Sequence, residues 1–144
     1  MAKKKRHMKK PKDKDKDSES SVVSIDMMDL AKESQKQPDL VYNYTQLLAD
    51  AKLKRDEAKD HVALVRAELD RDIRAEPEDF EIGKLTETVV EQTIICQGEY
   101  REALTAMRQA QHEVEKLYAI TNSLEHRKKS LEHLVYLHGQ GYFA

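Results

Sequence analysis

A chain of 144 residues that is 39% hydrophobic and 36% charged, with four glycines, three prolines and no tryptophan, has the length of one domain and too little apolar material for a thick compact core. No apolar run approaches the roughly 20 residues of a bilayer-spanning helix and no hydrophobic segment follows the basic start, so the expectation is a cytoplasmic protein (host cytoplasm if of phage origin) with no membrane partner. The net charge of -2 conceals a division: residues 1–17 hold nine Lys/Arg against three Asp, whereas residues 18–144 hold sixteen against twenty-four.

The first block, AKKKRHMKKPKDKDKD, cannot bury apolar area. Residues 1–21 are therefore expected to form a disordered basic arm whose partner is polyanionic, either nucleic acid or an acidic protein surface; a purely solubilising role is the plainer alternative. Residues 22–144 are expected to form a single helical domain. Within SSVVSIDMMDLAKESQKQ, Ile25, Met28 and Leu30 fall near one side of a short helix over 25–36, with Ser24 as its N-cap. Pro38 should end it. Asp39 then stands in capping position for a long helix over 39–75, marked by Leu40, Tyr44, Leu47, Leu48, Ala51, Ala58, Val62, Val65, Leu69 and Ile73.

PEDFEIG interrupts that pattern, because Pro77 disfavours helix at Glu76 and Gly83 loosens the far side. A second long helix is expected over 84–138, locally weakened at Gly98, capped by Gly139 and followed by a tail over 139–144. Its lone Cys96 cannot make an internal disulfide and reads as a small core residue.

So short a connection makes the two long helices antiparallel neighbours, with Leu69 opposite about Val90, Val62 opposite Gln97, Ala51 opposite Met107, Tyr44 opposite Val114 and Leu40 opposite Ala119. The fold class is all-α, a rod-like helical hairpin plus a short N-terminal helix. At about 1.5 Å per residue, one helix is roughly 80 Å long and its mate roughly 55 Å, leaving residues 120–138 overhanging. Ser-Leu-Glu-His occurs twice there, at 123–126 and 130–133, and places Leu124 and Leu131 on one stripe. Left bare, Ile120, Leu124, Leu131, Leu134 and Val135 would each forgo roughly 1.5 to 3 kcal/mol of burial. Residues 22–36 could fold back over part of that stripe. A neighbouring subunit is the expected cover, because thin two-helix hairpins rarely make a sufficient core alone. Those five residues are thus read as an oligomer interface. Tyr142 and Phe143, on a tail freed by Gly139 and Gly141, join them.

No catalytic constellation emerges. His126 and His133 are about 10.5 Å apart along a helix, too far to share an ion; no Glu stands three before any of the six histidines. HExxH, P-loop, GxGxxG and GxSxG patterns are missing from the sequence, so the expectation is a protein that is not an enzyme, with no catalytic residues, metal or cofactor. Cations carry the remaining signal. Arg127 and Lys128 lie three or four residues from Leu124 and Leu131, at the edge of the stripe, with Lys129 beside them. Pairs Glu125–Lys129 and Lys128–Glu132 offer a plain reading as a solvated face, while repetition around an oligomer would turn the same cations into a phosphate-binding track. A second set, Arg66, Arg71 and Arg74, is interleaved with Glu68, Asp70, Asp72 and Glu76, so ion pairing competes with phosphate contact.

The order of Ile25-Asp26, Leu30 and Glu33, then Tyr44 with Leu47-Leu48 opening a long helix, VALVRAELD before an acidic turn, KLTE, and a final helix with a leucine beside a basic cluster resembles the UvsY-like family of phage recombination mediators. The likeness spans about residues 22–138. It implies a ring-forming homo-oligomer that binds single-stranded DNA and loads a RecA-like recombinase onto strands coated by single-strand DNA-binding protein, without nucleotide hydrolysis. Its DNA-contacting cations map to Arg66, with Arg71 and Arg74 nearby; Val65 stands where a lysine is expected. The Lys-rich arm departs from the family pattern, and Lys3, Lys4, Lys5, Arg6, Lys9 and Lys10 are read as compensating phosphate contacts alongside Arg127, Lys128 and Lys129. The alternative is a helical scaffolding or assembly chaperone that grips a protein client.

Overall fold

A computed structural model of the chain describes residues 22–143. Among the described residues the fold is all-α, built from three helices: α1 over Leu30–Ala75, α2 over Glu87–Cys96 and α3 over Gly98–Gly139. No helix among them is long and apolar enough to cross a membrane. They form two compact units, residues 41–122 and residues 22–40 with 123–143.

Helix α1 does not stop where Pro38 was expected to stop it. The helix begins earlier, at Leu30, capped by Asp29, whose Oδ1 accepts from the Lys32 amide at 3.0 Å. It then runs through Pro38 without interruption. A proline inside a helix removes one backbone bond and crowds the preceding turn, at a cost of about 3 kcal/mol or more. Burial outweighs that here. Glu33, Gln37, Val41, Tyr44, Leu48 and Ala51 keep one continuous three-and-four spacing across the proline, all buried or half-buried, so packing of the stripe decides the conformation. Of the separate short helix expected over 25–36, residues 30–36 are the first part of α1 and residues 25–29 lie outside any helix; neither Ser24 nor Asp39 is a cap. Of Leu47 and Leu48, both counted on the stripe, Leu48 is buried and Leu47 exposed.

After Ala75 the chain turns through a 3-10 segment, Pro77–Phe80, closed by Glu81 in the left-handed region at φ 59°. The Ile82 amide donates to the Pro77 carbonyl at 3.1 Å, bringing Phe80 and Ile82 down onto the core. The expected single helix over 84–138 is two helices. Thr86 caps α2, its Oγ1 accepting from the Val89 amide at 3.3 Å. Gln97, at φ -70° and ψ 136°, then interrupts the helix before Gly98. The preceding run Val89, Val90, Thr93, Ile94, Ile95 is rich in β-branched residues of lower helix propensity, and a glycine follows. Carbonyls opened by the break are partnered locally: Arg101 Nε donates to the Ile95 carbonyl at 3.3 Å. Cys96, at this end of α2, is exposed rather than in the core.

In residues 41–122, Val65, Leu69, Ile73, Val90, Ile94 and Ala103 form one apolar cluster, and Leu48, Ala51 and Val114 a second. The helices pair antiparallel as expected and Leu69 shares a cluster with Val90, but Val114 meets Leu48 and Ala51 rather than Tyr44, about one turn from the expected register. Helix α3 ends in a Schellman motif. Gly141, not Gly139, is the left-handed residue at φ 71°; its amide donates to the His138 carbonyl at 3.0 Å, and the Tyr142 amide to the Leu137 carbonyl at 3.1 Å.

Candidate nucleic-acid interface

In the unit of residues 22–40 and 123–143, the stripe expected to lie bare is covered by the chain itself. Leu124 is 0% exposed and Leu131 4%. Ile120 and Leu134 are half-buried, whereas Val135, Tyr142 and Phe143 remain exposed, the last two rings meeting edge to face with centroids 5.1 Å apart. Leu124 and Leu131, expected to need a neighbouring subunit, are therefore covered without one. Residues 22–40 supply the cover, because α1 begins at Leu30 rather than beyond Pro38 and so continues alongside this stretch of α3.

Arg127 is the larger correction. Placed by sequence at the solvent edge, it is 3% exposed and sits in the stripe itself between Leu124 and Leu131. Its Nη2 bonds the Glu33 carboxylate, Nη1 donates to Gln37 Oε1 at 2.5 Å, and Nε and Nη2 donate to the Ser24 carbonyl at 3.3 and 3.1 Å. Gln37 Nε2 in turn donates to the Leu124 carbonyl at 2.9 Å. Glu33 and Gln37 are themselves buried, and no buried side-chain polar atom among the described residues lacks a partner. A guanidinium so enclosed is not offered to phosphate. Only its neighbours Lys128 and Lys129 are exposed.

The second cationic set stands at the acidic end of residues 41–122. Arg66 lies 3.5 Å from Glu91, Arg71 3.0 Å from Asp72, and Arg74 is held between Asp70 at 2.9 Å and Glu87 at 2.6 Å. Arg74's bonds to Glu87 and then Asp70 strengthen its hold on its proton, and the same pairing holds the Glu87 carboxyl below the usual range. Nearby, a hydrogen bond shared with Asp79 pushes the Glu76 carboxyl above it. Eleven Lys/Arg stand against seventeen Asp/Glu over residues 41–122, so the field there opposes a polyanion. Lys3, Lys4, Lys5, Arg6, Lys9 and Lys10 lie outside the described residues.

Glu33 and Gln37 escaped the sequence reading as partners of Arg127. A signal was there: both are polar residues falling on the apolar stripe of α1, and Arg127 falls on that of α3. Polar side chains in phase with two facing apolar stripes mark a buried polar pair. Comparison of the chain with protein-family models, with curated proteins and with solved structures finds no match.

Proposed function

We propose that this chain is a non-enzymatic recombination mediator: a cytoplasmic homo-oligomer that binds single-stranded DNA and assists loading of a RecA-like recombinase onto strands coated by single-strand DNA-binding protein. The observation that carries the reading is the segregation of charge. Residues 1–17 hold nine Lys/Arg against three Asp, Lys128 and Lys129 are exposed, and Arg66, Arg71 and Arg74 are engaged by carboxylates. Binding would rest on Lys/Arg contacts to phosphate without sequence readout, principally from the basic segment.

Fluorescence anisotropy with a labelled oligothymidine tests it. Tight binding at low salt that weakens steeply with added salt is expected, and deletion of residues 1–17 should flatten the slope of log K against log salt by about 0.7 for every phosphate that the arm neutralises. Absence of binding at low salt removes this reading. A second reading, a helical scaffolding or assembly chaperone, is favoured by an open groove of about 390 Å³ in which Met27, Met28, Leu30, Ala31 and Val135 are joined by Asp29, Ser34 and His138, with Met28 93% exposed. Flexible methionine surfaces suit varied protein clients.

A further inference from the structure

Arg127 makes an unusually selective joint. A guanidinium is a rigid planar fork of donors, and each acceptor it meets here belongs to one stretch of chain: the Ser24 carbonyl, the Glu33 carboxylate and the Gln37 side-chain oxygen. Gln37 closes the joint by donating to the Leu124 carbonyl. Buried Leu124 and Leu131 lie on either side of it. Together they make a receptor on α3 whose apolar flanks and central cation match residues 24–37.

That segment is attached to the remainder of α1 through Pro38, the turn that lacks a backbone donor, and the compact unit ends at Leu40. A separately packed element joined through the weakest turn of its helix is the arrangement from which identical chains exchange elements. Opening alone would expose Leu124 and Leu131 to water, so an open strap is disfavoured unless another replaces it. Within a second copy the replacement is identical, and it alone carries the matching carboxylate, amide and carbonyl at the right spacing.

We propose that residues 22–40 form an exchangeable strap: closed on its own α3 in the lone chain, and traded reciprocally with a second copy when the chain self-associates, so that each Arg127 is then completed by the partner's Glu33 and the partner's Gln37. The strap is a gate on assembly, and it operates whether or not the chain binds DNA.

Charge reversal tests the exchange directly. In Arg127→Glu two carboxylates oppose each other within the chain, and in Glu33→Arg two guanidiniums do; homodimers of either variant repeat the clash. A mixture relieves both, because exchange pairs Glu33 of one variant with Arg127 of the other, and the reversed residues with each other. Native mass spectrometry of the equimolar mixture is expected to show a 1:1 heterodimer at about twice the 16.7 kDa chain mass, absent from either variant alone. Two species that stay separate on mixing would overturn the proposal. Should the single variants fail to fold, recovery of helical circular dichroism on mixing supports it; no recovery, with the doubly reversed chain folding alone as a monomer, overturns it. Wild-type chain supplies the remaining measurement: growth of dimer with concentration is expected, and a lone protomer throughout the accessible range overturns the proposal.

Discussion

Within residues 41–122 the helices meet through Val65, Leu69, Ile73, Val90, Ile94 and Ala103, whereas residues 22–40 and 123–143 meet around Arg127, Glu33 and Gln37 with Leu124 and Leu131 on either side. The two joints use different physics. Apolar packing is strong and non-directional, tolerating any set of side chains of similar volume. A buried ion pair with hydrogen bonds adds little net stability, because desolvation offsets the Coulomb attraction, but it accepts only one alignment. Where six apolar residues cluster, alignment follows from shape. Where two leucines flank a cation, the polar partners select the register.

Breaking the polar joint is expected to cost most. Arg127→Met leaves Glu33 buried without its partner, and urea unfolding should show a loss of about 3 to 5 kcal/mol. Replacing Glu33 and Gln37 by Met and Leu in the same chain should recover most of that loss, while amide exchange over residues 24–37 becomes faster than in wild type. If the triple variant protected the segment as well as the native chain, the polar joint would have no role in register. The apolar joint provides the contrast. Ile73, 0% exposed, truncated to Ala should lose about 3 kcal/mol, and Ile73→Val only about 1, with no partner residue able to restore either.

Smallest is the effect of pH at the acidic end of residues 41–122, where two carboxyls act in opposite directions. Glu87, depressed by Arg74, contributes stability above the ordinary glutamate range and loses it as pH falls through its lowered value. Glu76, raised by Asp79, contributes below the ordinary range and loses it as pH rises through its raised value. Both are solvent-exposed, so urea midpoints measured between about pH 3 and 6 should move only slightly. Arg74→Met should remove the fall at the acid end and leave the opposite trend from Glu76. An unchanged acid limb would show that the Arg74–Glu87 pair contributes nothing in solution.

The sequence by itself determined the helical class, the acidic turn after Ala75 and the antiparallel pairing about it, since three-and-four periodicity and a proline-bearing turn are local properties that survive in any environment. Only the tertiary structure decided that the pairing continues past Pro38. A proline's missing donor is a local penalty legible in one residue, while the burial that overrides it comes from a distant part of the chain, as Gln37 and Arg127 stand 90 positions apart. For the same reason Arg127 reads as a surface cation in sequence and is a core residue in the fold: burial of a charge depends on acceptors that arrive from another helix.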